Sequence, residues 1–189
     1  MFWTRVLQIN SPEHCTFGTP TLKNGQELAA NEFLQGDKLS FDSLVLPVLR
    51  PGKIHAISMA LGAIPIVNEI AAPVFEEVLG TDVQLIECEP VNGQSLWVAN
   101  VLSVLDCLDR AHTKAEYYPT NYPLRHLSNC VSIAFELAIL QSVTAGHPVF
   151  RIREDNAKLI VASTFLEIIT ARHLDGLEAS DFPRYKSVN

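Results

Sequence analysis

Asp106, Asp109 and His112 stand at i, i+3 and i+6. On a helical turn that spacing sets two carboxylates on one face with an imidazole close by, an oxygen and nitrogen donor set suited to a divalent cation. The same residues also read as a strand exit, where the acids cap backbone N–H groups or pair with Arg110 and Lys114. Cys107 and His112 could be drawn as nucleophile and base. However, Leu105 and Leu108 place Cys107 in an apolar run, where burial raises a thiol's pKa and makes it inert. His14 beside Cys15, and His55, His126, His147 and His173, have no spacing partners and read as structural or solvated. The chain carries no phosphate-binding Gly-rich loop, no Gly-x-Ser-x-Gly elbow, no His-Glu-x-x-His and no dinucleotide fingerprint, which weakens an enzymatic reading.

A different chemistry is offered by Tyr117, Tyr118 and Tyr122, which fall with Pro119 and Pro123 in a polar stretch from Ala111 to His126. Tyrosines supply large, semi-rigid, amphipathic contact area of the kind enriched at interface hot spots. With Glu116, Asp106 and Asp109 nearby, the region suits a basic partner. The alternative is that the rings pack over a sheet edge; at least one is expected to be exposed. The charge balance agrees, with 14 Lys and Arg against 21 Asp and Glu, a net −7. Such a field repels nucleic acid and anionic lipid and favours cationic partners, although acidity also serves solubility alone.

The elements that must position these residues follow from periodicity. Phe2 to Ile9 reads as a first strand, and Asn10 to Gln26, rich in Gly, Pro and Asn, as a long loop. Leu44 to Leu49 is apolar but carries Pro47, which argues for an edge or broken strand. Ile66, Ile70, Val74 and Val78 recur every four residues with Glu69, Glu76 and Glu77 behind them, a helical face whose Pro73 demands a kink or a start near that residue. Asn92-Gly93 predicts a tight hairpin turn whose second arm is a core strand from Leu96 to Leu105, ending at a surface at Asp106 and Asp109. Val131 to Ile139 alternates like a half-buried strand. Val149 to Ile152 and Lys158 to Val161 should pair across Asp155-Asn156. Ser163 and Gly176 bracket a helix of about three turns. Laying Ile66-Val67 over Ile160-Val161 brings Val74-Phe75 onto Ile168-Ile169 and Val83 onto Leu177, so both stretches read as strand, helix, strand. Duplication or coincidence would each produce that match.

Cys15, Cys88, Cys107 and Cys130 include no Cys-x-x-Cys pair, and the last three lie among apolar residues, which fits buried free thiols in a reducing compartment. The start of the chain lacks a signal-peptide pattern. Its longest apolar region, Ile54 to Phe75, is broken by His55, Pro65, Asn68, Glu69 and Pro73, so it makes no membrane span.

Four stretches carry a family resemblance. The run from Leu96 to Asp109, with its aromatic, its Asn100 and its closing Val-Leu-Asp-Cys-Leu-Asp, resembles the central motif of an immunity-protein family from bacterial polymorphic toxin systems. Pro148-Val149-Phe150-Arg151-Ile152 is similar to that family's Pro-apolar-Phe-Arg-apolar strand. Leu159 to Ser163 with Leu174 to Glu178 resembles its C-terminal part, and Asp82 to Ile86 with Pro90 matches more weakly. The resemblance spans Ile64 to Phe182, and the first sixty residues match poorly. It implies a cytosolic, non-enzymatic binder that holds a cognate toxin inactive.

The expectation is therefore one α+β domain over residues 1–189, a largely antiparallel sheet with at least two packed helices and a strand–helix–strand internal repeat. Asp106, Asp109, Glu116, Tyr117, Tyr118 and Tyr122 are its candidate partner-binding residues. No cofactor or metal is expected; the partner is a toxin with a basic surface, and a homo-oligomer is open. The rivals are a small metal-dependent hydrolase using Asp106, Asp109 and His112, and a subunit that self-associates through a sheet edge near Pro47.

Overall fold

The computed structural model describes residues 3–8, 11–61, 63–121, 131–180 and 184–188. Strand β1 (Trp3–Gln8) precedes two short strands, β2 (Thr16–Phe17) and β3 (Thr21–Leu22), a 3-10 turn at Ala30–Leu34, and the fragments β4 (Leu44–Val45) and β5 (Val48–Arg50). Then come β6 (Ile57–Ala60), β7 (Ile64–Asn68), helix α1 (Ala72–Leu79), β8 (Val83–Glu87) and β9 (Leu96–Val101). β10 (Val104–Leu105), β11 (Lys114–Tyr117), β12 (Val131–Leu140) and the single-turn α2 (Gln141–Thr144) follow. The chain continues through β13 (Val149–Ile152), β14 (Asp155–Ala162), α3 (Ser163–Ala171), β15 (Leu177–Ser180) and β16 (Arg184–Val188). They form a six-stranded sheet ordered β5-β2-β6-β7-β9-β8, a five-stranded sheet ordered β10-β13-β14-β1-β15, a three-stranded sheet β11-β12-β16 and the pair β3-β4. Pairing is mostly antiparallel, so the fold is α+β, as predicted, with strands in the majority.

Two units of the same topology make up the centre. In the first, β6 and β7 form a hairpin, α1 crosses over, and β8 returns on the far side of β9, which lies antiparallel between β7 and β8. In the second, β13 and β14 form the hairpin, α3 crosses over, and β15 returns with β1 lying antiparallel in the middle. Even the register repeats. Val98 of β9 faces Ile66 on one side and Ile86 on the other, and Arg5 of β1 faces Ile160 and Ser180, the residues that the 66-to-160 alignment makes equivalent. The middle strand of the second unit is thus taken from the start of the chain.

Both helices and the inner faces of both units supply one core. Phe75 and Phe165 meet edge to face with ring centroids 5.5 Å apart, among Val6, Val67, Val83, Val101, Val161 and Ile169. Alternation along the strands then sends Ile64, Ile66 and Val98 to a second core, capped by Cys15, Phe17, Phe33 and Leu44. Trp3, Phe150, Ile152 and Ile160 go to a third, beneath the β11-β12-β16 sheet.

Several local expectations change. The Asn10 to Gln26 stretch is not simply a loop, because it holds β2 and β3 and buries Cys15 and Phe17 completely. Pro47 breaks its strand in two, leaving β5 at the edge of the six-stranded sheet. Pro73 sits in the first turn of α1, where a missing N–H costs nothing, and the Asn68 carboxamide oxygen accepts from the Ile70 and Ala71 N–H groups just ahead of it. The expected strand to Leu105 stops at Val101; after Leu102 and Ser103 the chain leaves the six-stranded sheet and β10 pairs in parallel with β13. Within the supposed loop from Ala111, residues 114–117 are strand β11 against β12. The β13–β14 turn is Arg153-Glu154, two residues earlier than expected, and Asp155 and Asn156 are buried strand residues. Ala162, not Ser163, precedes α3 as its cap. Past that helix the left-handed position is taken by His173, while Gly176, at φ +111°, lets the chain run directly over the Ile57 carbonyl, where a Cβ would overlap the oxygen.

Arg151 is the most consequential buried residue. It is fully enclosed, its Nη1 donating to the Asn156 carbonyl at 2.9 Å and its Nη2 to the Ala63 carbonyl at 2.8 Å. Burial pushes its pKa down to about 9, which still leaves it charged at neutral pH. The Asn156 side chain donates in turn to the Leu34 carbonyl at 3.1 Å. Replacing Arg151 by Ala removes these bridges, withdraws the donors from one buried and one half-buried carbonyl and opens a cavity. An equilibrium urea titration should show a loss of about 3 kcal/mol or more; a loss below about 1 kcal/mol would mean that the bridge is dispensable.

Candidate functional site

The residues singled out in the sequence lie along β12. Asp109 N–H donates to the Ala138 carbonyl, Lys114 faces Glu136, and Tyr117 faces Val131. From Ala138 to Val131 is seven residues, roughly 24 Å of strand, so the set is strung out rather than gathered. Asp109 is occupied locally. Its Oδ1 accepts from the Ala111 and His112 N–H groups at 2.9 and 3.3 Å, and its Oδ2 lies 2.6 Å from His112 Nδ1. These bonds, first of all the one with His112, hold its carboxyl below the usual range. Arg110 reaches Glu154 and Lys114 reaches Glu136. Among the described residues no three His, Cys, Asp or Glu side chains converge as a metal site. Asp106 and Glu116 are exposed, Tyr118 is half-buried, Tyr117 packs against the third core, and Tyr122 lies outside the described residues.

Burial leaves the described thiols poorly suited to act as nucleophiles. Cys15, Cys88 and Cys107 are buried as reduced thiols, and burial pushes the Cys88 and Cys107 pKa values up to about 12. Cys130 lies outside the described residues. Among the described residues Ser103, His147 and Asp82 come together, but they are not a relay. Both the Ser103 hydroxyl, at 3.3 Å, and the Asp82 carboxylate, at 2.7 Å, approach the same nitrogen, Nδ1 of His147, whereas a relay needs them on opposite nitrogens.

A second histidine is structural in a more demanding way. His55 is buried with Nδ1 2.8 Å from Asp175 Oδ2, edge to face with His14 at 4.2 Å between ring centroids. Asp175 also accepts from Lys53 Nζ at 2.6 Å and, through Oδ1, from the Ala56 N–H at 2.9 Å. Its own carbonyl accepts from the Ile57 N–H. One carboxylate thereby fastens the loop after α3, in the second unit, to the start of β6 in the first.

The sequence reading missed a groove between α1 and the β8–β9 hairpin. Glu69 and Glu76 line it from the helix side, Glu87 and Trp97 from the sheet, with Pro73 and Leu85 beneath them, around a cavity of about 410 Å³. Asn92 and Gly93 have φ of 51° and 78°, and Val91 and Gln94 exchange both backbone hydrogen bonds, so the turn is the predicted tight one. A strict ladder from that turn would set Glu87 opposite Val98. The pairing instead slips by one residue and opposes Glu87 with Trp97, which puts carboxylate and indole side by side on one face. Glu69, Glu76 and Glu87 are exposed, and none of their carboxylates has a hydrogen-bond or ion-pair partner among the described residues.

The sequence profile of the immunity protein family (Imm11) matches residues 71–183, more than half of the chain. The chain belongs to the Imm11 family. No curated protein matches it. The Imm11 match runs from the first turn of α1 through the β8–β9 hairpin and the β11–β12 pair to the end of the second unit, and so contains Glu76, Glu87, Trp97 and Arg151. It leaves out β1, the strand that completes that second unit. Imm11 is a family of toxin immunity, as the motif resemblance implied, and among the described residues no helix is long and apolar enough to cross a membrane.

The Asp175 clasp carries a pH signature. Its partial burial raises the carboxyl pKa, but the bonds from Lys53, the Ala56 N–H and His55 outweigh that and hold it well below the usual carboxylate range. A depressed folded pKa contributes stability that is full above the ordinary carboxylate value near ~4 and fades as pH falls through the folded value. Asp175→Asn should therefore lower the melting temperature at pH 7, with the gap to the parent closing as pH drops from about 5 to 2. A gap that stays constant over that range would remove the clasp's electrostatic role.

Proposed function

We propose that this chain neutralises a cognate toxin by binding it directly, without chemistry of its own, in the cytoplasm of the cell that makes the toxin. The observation that carries this reading is the Imm11 match across residues 71–183. The charge distribution supports it. With a net −7, seven carboxylates exceed the cations, and Asp106, Glu116, Glu69, Glu76 and Glu87 all stand exposed. An acidic surface speeds encounter with a basic cleft and fixes its orientation. A stable inhibitory interface would bury about 1,600 Å² in total, and Asp106, Glu116 and Tyr118 at the β10–β12 end are proposed to contribute at its rim. The buried free thiols suit a reducing compartment.

The test is co-expression with the protein encoded immediately upstream, followed by capture and titration. A one-to-one complex that restores growth, with an association rate falling on the order of tenfold or more as salt is raised, is the expected result. A pure, folded chain that neither binds nor protects would overturn the reading. A stable homo-oligomer in its place would favour self-association, for which the exposed Val48 and Leu49 of edge strand β5, with Leu61 nearby, offer a surface.

A further inference from the structure

We propose that the groove between α1 and the β8–β9 hairpin is an arginine receptor, which takes the guanidinium of one arginine side chain of the toxin. The inference rests on the immunity reading for the identity of the partner, and on the groove's own chemistry for the residue it accepts.

The walls are complementary to that side chain along its length. Pro73 and Leu85 offer apolar surface to the methylene stem, and the half-buried Trp97 indole offers a face over which a planar cation is attracted. Glu69, Glu76 and Glu87 arrive from three separate backbone segments at the rim of one cavity of about 410 Å³. Three carboxylates around one cavity repel one another, and none is neutralised within the described residues. By contrast Glu77, next in sequence to Glu76, is already held by Arg172. Arginine fits better than lysine because its flat, forked cation can stack on the indole and donate to two carboxylates in its plane at once.

The simpler explanation is that these acids serve the fold, by complementing the start of α1. That account reaches Glu69 only, since Glu76 is five residues into the helix and Glu87 is on a strand. The second unit supplies an internal control, because it has the same topology and register. At the positions equivalent to Glu69, Glu76 and Trp97 it carries Ser163, Thr170 and Thr4. At the position equivalent to Glu87 the sequence keeps an acid, Asp181, so Glu69, Glu76 and the indole are the features that the first unit alone has been given and that the architecture does not require.

The test uses the full chain and the tripeptide amide Gly-Arg-Gly, acetylated at its N-terminus, followed through the two tryptophan indole N–H resonances. Trp97→Phe assigns them. The expected result is a saturable shift of the Trp97 resonance with Trp3 unmoved, no shift with the Gly-Gln-Gly peptide, and an affinity reduced on the order of tenfold in Glu76→Gln/Glu87→Gln. No shift, or an equal shift in that variant, overturns the proposal. On the toxin complex the same double variant should weaken binding by about tenfold or more, while the charge-matched Glu167→Gln/Glu178→Gln pair should not. A complex indifferent to the groove variant sinks the receptor and leaves the immunity reading standing. A chain that binds the peptide but no toxin sinks the immunity reading and leaves the receptor.

Discussion

A single buried guanidinium holds the two units and their cap in one arrangement. Arg151 stands in the middle of a strand that is otherwise wholly apolar and buried, where a lone cation would be unfavourable by several kcal/mol. What makes it tolerable is that Nη2 donates to the carbonyl of Ala63, in the β6–β7 turn, and Nη1 to that of Asn156, in the facing strand. Ala63 itself sits at φ 55°, a conformation that a non-glycine residue adopts only when its surroundings hold it there. Asn156 then passes the constraint to Leu34 and so to the segment that covers the second core. The Asp175 clasp fastens the same two units at another place. Between them, charged groups decide how one unit sits against the other, and the shared apolar core, which has no directional preference, follows.

Much of the fold was legible because local rules and tertiary packing agree where each strand has one buried face. The Asn92-Gly93 turn, the alternating Val131–Leu140 strand, the start of α1 at Pro73 and the strand–helix–strand pattern of both units can be found by periodicity and turn chemistry alone. The missed features are those in which a residue's partner lies far along the chain. Lys114–Tyr117 looks like a loop because only its long-range pairing with β12 makes it a strand. Asp155 and Asn156 look like turn residues, as their types suggest, but Lys158 neutralises the first and the Leu34 carbonyl satisfies the second, so both are buried. Nothing within Leu96–Leu105 marks the break at Leu102. The chain crosses to another sheet there because the Leu102 N–H finds the Asp82 carbonyl and the Ser103 carbonyl finds the Arg151 N–H.

The candidate site shows the same division. Asp106, Asp109 and the tyrosines are close in sequence, but along an extended strand closeness in sequence is distance in space. Glu69, Glu76, Glu87 and Trp97 are separated by a helix and a hairpin, and a one-residue slip after a tight turn brings the last two onto one face. The Glu69 and Glu76 side chains were visible as the polar side of a helix. What was hidden is that this side overlooks a sheet carrying a third acid and an indole.

That β1 serves as the middle strand of the second unit has a bearing on how the molecule comes into being. Thr4 and Ser180 are hydrogen-bonded across 176 positions of sequence, so the segment made early must wait for one made much later. The first unit can close on itself while the chain is still being extended, whereas the second cannot close until β15 exists. Loop closure over such a span is slow, and it ties completion of the second unit to a strand made long before it. A chain clipped near either of these strands would lose the whole second unit. The second unit is thus complete only when both strands are intact and joined.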